Sequence, residues 1–207
     1  MFSRVTMEVP DLDQAVAVYD RLLEILRIAR DGTAPVWGDF GLAAADDPSR
    51  VTRRLHIAFA APSAEHVERF WQAGRAAGYR DDGAPGPRPQ YREDYVGGFL
   101  RDPQDNSIEA VHYNWMHDRL AIDHLWIRVG DLEASTRFYQ HLIPHADRME
   151  LRRQLPGRSQ FGLVAGSFSL VDDGPPTERM HLALAASGNE PYLNTDPDGN
   201  TVELIPR

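Results

Sequence analysis

Apolar and polar residues alternate with period two at four places along the chain, and each place opens a strand with one apolar and one polar face. The third is the most regular. Leu125, Ile127 and Val129 point one way, and His124, Trp126 and Arg128 the other. Asp131 then ends the strand and caps a helix over 131–142 that turns Phe138 and Tyr139 inward. The chain begins in the same manner. Val5, Met7 and Val9 alternate, Asp11 starts a helix, and Leu12, Ala15, Val16, Tyr19, Leu22, Leu23 and Leu26 share one helical face. Two short strands over 36–45 complete this first unit.

The second unit opens at Leu55–Ala60, continues into a helix capped by Ser63 and stopped by Gly78, and buries Val67, Phe70, Trp71 and Ala77. A Pro- and Gly-rich loop over 83–91 leads to strands over 96–100 and 107–112, joined by the turn Asp102-Pro103-Gln104-Asp105-Asn106. The third unit adds strands near 161–164 and 167–171. The fourth starts at Met180–Ala185 and closes over 192–205, with only the six residues 186–191 between its outer strands, so its helix is missing. This repetition predicts an α+β fold of four βαβββ-type modules. They form two domains with cupped mixed sheets, and the last module is shortened. The polar segment 114–119 is the expected linker, giving an N-terminal domain over 1–116 and a C-terminal domain over 119–207. Helices on one face of each sheet leave the other face free to curve into a cup. Leu182, Leu184, Val202 and Leu204 lack a covering helix, which predicts a second domain or subunit against them, a homodimer being one such arrangement.

Charge and composition narrow the chemistry. A net charge of −9 and a pI near 5.3 argue against a nucleic-acid surface. No apolar run is long enough for a bilayer, and Met1-Phe2-Ser3-Arg4 enters a strand with no leader pattern, so no membrane partner and a cytoplasmic location are expected. Zero cysteines exclude disulfides and thiolate metal sites, leaving eight histidines and the carboxylates as metal donors.

The motifs Val9-Pro10-Asp11-Leu12 with Val18-Tyr19, Val129-Gly130-Asp131-Leu132-Glu133 with Arg137-Phe138-Tyr139, and Asp196-Pro197-Asp198-Gly199-Asn200 with Glu203 carry a family likeness. Together with His56-Ile57-Ala58-Phe59-Ala60-Ala61 and the loop 85–91, they make the chain resemble the vicinal oxygen chelate superfamily of glyoxalase I, bleomycin-resistance proteins and extradiol dioxygenases. The resemblance implies a metal in the cup, held by a residue early in each first strand and by a Glu on each last strand. The first-strand slots are Arg4, His56, His124 and His181, and the Glu slots of the even units are Glu109 and Glu203. The last strands of the odd units, around Ala44 and Ser169–Val171, offer no Glu. Alternation agrees with this set, because each of the His and Glu residues faces away from the helix layer.

Two pairings of units are open. Pairing one with two and three with four gives a site of His124, His181 and Glu203, and is favoured because sequence-adjacent units usually pair. Pairing one with four and two with three gives His56, Glu109 and His124. Arg4 cannot ligate a metal and spoils the other cup in either case, so an ion pair of Arg4 with Glu109 or with Glu203 is expected. Two imidazoles and a carboxylate suit iron(II) above all, and also Mn(II), Ni(II) or Zn(II). Trp126, Arg128, Trp37, Arg88, Tyr91 and Tyr95 are the candidates to line a substrate pocket, and Arg128 could equally be a structural ion-pair partner. His66, His112, His117, His141 and His145 read as surface residues.

The resulting expectation is a metal-dependent oxidoreductase, oxygenase-like, acting on a small substrate with vicinal oxygens. Ring cleavage is weakened by Leu193, where the dioxygenases carry a Tyr three residues before the Asp-Pro turn. A glyoxalase-type isomerase or lyase would need a Glu near Val171. The other alternative is a non-catalytic drug- or metabolite-binding resistance protein, to which a charge of −9 would attract basic molecules.

Overall fold

The computed structural model describes residues 2–114, 121–162, 166–188 and 192–206. The first unit contains β1 (Phe2–Val9), α1 (Leu12–Ile25), β2 (Val36–Trp37) and β3 (Phe40–Ala44). The second contains β4 (His56–Ala60), α2 (Ala64–Ala76), β5 (Arg80–Pro87), β6 (Val96–Arg101) and β7 (Ser107–His112). The third contains β8 (Ile122–Arg128), α3 (Leu132–Leu142), β9 (Leu151–Leu155), β10 (Arg158–Phe161) and β11 (Ser167–Val171). The fourth contains β12 (Met180–Ala186), β13 (Tyr192–Thr195) and β14 (Thr201–Pro206), with no helix among its described residues. Asp11 and Asp131 cap α1 and α3 by accepting from the backbone N–H groups of Gln14 and Ala134. The expected linker 114–119 and His117 lie outside the described residues beyond Asn114. So do 163–164 of the strand expected near 161–164, and 189–191 of the connection 186–191.

The units do not pair as favoured from the sequence. One sheet has the order β5-β6-β7-β4-β8-β11-β10-β9, joining units two and three, and the other the order β13-β14-β12-β1-β3-β2, joining one and four. Each sheet therefore draws strands from both sides of the expected boundary near residue 117. The adjacency preference is met by the central pair, which is also contiguous in sequence, and the first and last units are left to close on each other through β1 and β12.

Two edge strands were not expected, for a shared reason. β5 runs through Gly83, Pro85 and Gly86 with two register shifts, where proline is tolerated only because the strand is an edge. β9 is Leu-Arg-Arg-Gln-Leu, almost wholly exposed, with no alternation to betray it.

All three helices contribute to one core together with both sheets: Tyr19, Leu22 and Leu23 from α1, Val67 and Phe70 from α2, Tyr139 and Leu142 from α3. Leu182, Leu184, Val202 and Leu204 belong to that same core. The chain itself covers the face for which a partner was expected. No described helix is long and apolar enough to cross a membrane.

The two Asp-Pro turns explain how each even unit holds its register. Asn106 accepts from the N–H of Leu55 (3.0 Å) and donates to the carbonyl of Thr52 (2.9 Å), while Asn200 accepts from Met180 (3.1 Å) and donates to Thr177 (3.1 Å). Each Asn thus pins the closing hairpin to the start of its unit's first strand. The turns need one left-handed residue, supplied by Gly199 (φ 84°) in one and by Asp105 (φ 69°) in the other. Asn106→Ala strands two buried backbone groups and should cost about 2 kcal/mol or more in denaturant unfolding. Asp102, which receives the Asn106 side chain, is raised to about 6 by burial, against the hydrogen bonds from Asn106 and Gln104. A raised carboxyl favours the folded state at low pH and loses that contribution as pH rises through 6. The stability of Asp102→Asn relative to wild type should therefore rise between pH 4 and pH 7, as read by unfolding curves across that range.

Candidate metal centre

The register between β4 and β8 makes the site. Their antiparallel pairing sets His56 opposite Trp126 and Ala58 opposite His124, while the parallel pairing of β4 with β7 sets Glu109 opposite Ala58. Period two then brings His56, His124 and Glu109 onto the same concave face. Their ligating atoms all lie within 4.8 Å of one another. The Nε2 atoms of His56 and His124 stand 3.1 and 3.6 Å from the same oxygen, Oε2 of Glu109. Glu109 is 1% exposed, so this carboxylate is wholly withdrawn from water.

Outer partners fix each donor. His124 Nδ1 donates to Asp123 Oδ2 (2.8 Å), and Tyr113 donates to the other Asp123 oxygen (2.5 Å). His56 Nδ1 meets Ser107 Oγ (3.1 Å), which donates to Asp82 (2.9 Å), itself paired with Arg101 (2.8 Å). Tyr95 donates to Glu109 Oε1 (2.6 Å), and a Cβ at Gly97 would come within 2.6 Å of that oxygen, so only glycine leaves it room. Both imidazoles thus turn Nε2 inward with Nδ1 anchored behind, the arrangement metal-binding histidines adopt. Burial holds His56 below its ordinary pKa and so keeps it neutral, as ligation requires. Burial also lowers His124, but the Asp123 hydrogen bond and the charges of Glu109 and Asp123 outweigh it and raise the group. The donor set and its outer partners fit a divalent ion.

The favoured set of His124, His181 and Glu203 is not brought together. His181 and Glu203 lie in the other sheet, 3.0 Å from each other and partly exposed, and are separated from His124 by the pairing of units. Arg4 does occupy the fourth equivalent position, since Arg4 pairs with Ala183 and Thr6 with His181 just as His56 pairs with Trp126 and Ala58 with His124. Among the described residues no ion pair joins it to Glu203 or Glu109, contrary to expectation, because Glu203 is engaged by His181. The remaining slot of that cup is Gly41, opposite Thr6, rather than the neighbourhood of Ala44. In the metal-fitting cup the corresponding slot is Ser169, opposite Trp126.

The cup is a cavity of about 710 Å³ lined by five of the six pocket candidates: Trp126, Arg128, Arg88, Tyr91 and Tyr95. Trp37 is not among them. It is buried against Tyr19 and Phe40 in the core, with its indole N–H on Asp20 (3.1 Å). Arg128 is held in an ion pair with Asp173 (2.8 Å) and bonds the Arg54 carbonyl. Sequence reasoning missed Arg152, Arg153 and Arg158, which stand on β9 and β10. Pro156-Gly157, between Leu155 and Arg158, is a hairpin signal that could have found them. His66 bonds Ser63 beside α2, His112 the Ala61 carbonyl and His141 the Arg137 carbonyl, and His145 is exposed, all away from the triad.

No family model matches the sequence, and no curated protein does. Among solved structures, a glyoxalase/bleomycin resistance protein from Albidiferax ferrireducens T118 is 31% identical over 54% of this chain and 98% of its own, with a TM-score of 0.47. Glyoxalase I from Zea mays is 17% identical over 99% of this chain and 92% of its own, with a TM-score of 0.67. A putative dioxygenase from Bacillus subtilis subsp. subtilis str. 168 is 11% identical over 99% and 84%, with a TM-score of 0.57. The last two carry the likeness of fold across the whole chain, and the first carries the likeness of sequence.

Asp123→Asn removes the charge behind His124 without touching a donor atom of the triad. It should weaken divalent-metal affinity about 10- to 100-fold in a competition titration, with the fold intact by circular dichroism.

Proposed function

Since this chain belongs to the vicinal oxygen chelate superfamily, we propose that it is a divalent-metal-dependent enzyme of the glyoxalase, bleomycin resistance and dioxygenase type. Its reaction is oxygenase-like, on a small substrate with vicinal oxygens. His56, Glu109 and His124 would hold the ion, with iron(II) favoured and Mn(II), Ni(II) or Zn(II) compatible with the same donors. When bound, the ion supplies Lewis-acid polarisation to the substrate's adjacent oxygens.

One observation carries the reaction class. Every carboxylate that lines the cavity among the described residues is already engaged: Asp82 by Arg101 and Ser107, Asp123 by His124 and Tyr113, Glu109 by the triad and Tyr95. Isomerisation of the glyoxalase type needs a carboxylate free to take a proton from carbon, and the slot that would hold it is Ser169. A set of three donors with vacant positions is the arrangement of non-haem iron oxygenases. The reading stops short of catechol cleavage, because the residue three before the Asp102-Pro103 turn is Phe99, which has no hydroxyl.

The chain's own residues prepare the site. Tyr95 and Asp123 orient Glu109 and His124, and the serine relay through Ser107 orients His56. Tyr91 and Leu155, 51% and 47% exposed, stand on the cavity wall as apolar surface that a bound substrate would cover and dry.

Purified protein should contain a single divalent ion per chain. His124→Ala should lose it, and His181→Ala, in the other cup, should keep it, both read by elemental analysis. Oxygen uptake with a panel of vicinal-oxygen compounds then separates an oxygenase from an isomerase. A wild-type protein that takes up no divalent metal when supplied with it would leave only a non-catalytic binding protein.

A further inference from the structure

The cup is rich in arginine although the chain carries a net charge of −9. Among the described residues, seven arginines and three carboxylates line it. Three of those arginines are neutralised: Arg92 by Asp94, Arg101 by Asp82 and Arg128 by Asp173. Arg88 is committed to its own loop, bonding the carbonyls of Ala84 and Pro87 and lying 5.5 Å from the Phe99 ring centroid. Among the described residues, Arg152, Arg153 and Arg158 have no carboxylate partner.

Arg158 is the most enclosed of these three, half-buried at the start of β10. Its Nε donates to Ser169 Oγ (3.0 Å), and its guanidinium lies 4.8 Å from the Trp126 ring centroid. Ser169 is the slot related to His124 as Glu109 is to His56. Where the repeat would put a second carboxylate, this chain has a serine that holds an arginine, so that corner of the cup is cationic instead of anionic. The two terminal nitrogens of Arg158 have no protein acceptor among the described residues. A half-buried guanidinium lining a cavity with its fork unused is a ready site for a charge-assisted, bidentate hydrogen bond to an anion. Burial and the neighbouring Arg153 both weigh against its charge.

We propose that the cup takes an organic anion, and that a carboxylate of the substrate docks on the fork of Arg158. Arg153 and Arg152 extend the positive surface along β9. Trp126, Tyr91 and Leu155 meet the apolar body, while the vicinal oxygens face the triad. The inference rests on reading the cup as the substrate site, and not on which metal fills it.

Two matched probe pairs test it by calorimetric titration of the full chain supplied with Mn(II). Benzoate and benzamide are nearly isosteric, the amide lacking the charge and carrying an NH2 donor in place of one acceptor oxygen, and neither carries vicinal oxygens. 3,4-Dihydroxybenzoate and 3,4-dihydroxybenzamide add them. In both pairs the acid should bind about tenfold or more tightly than the amide. Arg158→Gln should abolish that preference. Arg153→Gln, an exposed change that spares the fold, should reduce it several-fold. Equal binding of acid and amide in both pairs would overturn the inference, as would an unchanged preference in Arg158→Gln. A benzoate preference to which the dihydroxy groups add nothing would uphold the anion subsite and count against the proposed function alone.

Discussion

The pairing of β4 with β8 is the constraint on which the site depends. Neither histidine is close to the other in sequence, and Glu109 is remote from both. They meet because Ala58 stands opposite His124 on one side and opposite Glu109 on the other. A slip of one residue in either ladder would turn a donor to the opposite face of the sheet. The alternating apolar set of Ile57, Leu125, Ile127 and Ile108, all fully buried behind the cup, fixes the register that the front face uses. The core therefore holds the metal donors in place without touching them.

The same ladder in the other sheet shows what that register can accommodate. Arg4, Gly41, His181 and Glu203 stand where His124, Ser169, His56 and Glu109 stand. An arginine in one slot and a glycine in another leave a histidine and a glutamate, which satisfy each other at 3.0 Å. The module preserves strand positions and pays no attention to their chemistry, so one cup retains a donor set while its counterpart settles into an ion pair.

Much of this was legible in the chain. Four modules and the want of a helix among the described residues of the fourth follow from period-two alternation and capping residues such as Asp11 and Asp131, while the donor slots follow from the family resemblance, with which alternation agrees. The pairing of modules was not legible, because both pairings bury the same apolar faces and put His124 in a competent cup. What distinguishes them is the closure of the first and last units through β1 and β12, a long-range contact with no local signature. The edge strands β5 and β9 escaped for the opposite reason. They bury little, so burial writes no alternation into them. That blind spot hid Arg152, Arg153 and Arg158, since the residues that face a ligand on an edge strand are polar on a strand that is polar throughout. Trp37 shows the converse error. An aromatic residue in a short strand reads as pocket or as core, and packing against Tyr19 and Phe40 decides for core.

The charge of the whole chain is a poor guide to the charge its ligand meets. Fields from exposed acids fade over about 10 Å in salt water, whereas the groups lining a concave, partly dry cavity act at short range and with little screening. The global charge of −9 had suggested basic ligands, but the cup presents more arginine than carboxylate. The acidic residues that line it are turned onto histidine, tyrosine, serine or arginine and have little left to offer a cation. Arg158 and a divalent ion ask for the same kind of partner, an oxygen bearing negative charge. A molecule that chelates through adjacent oxygens and ends in a carboxylate would satisfy both with one orientation.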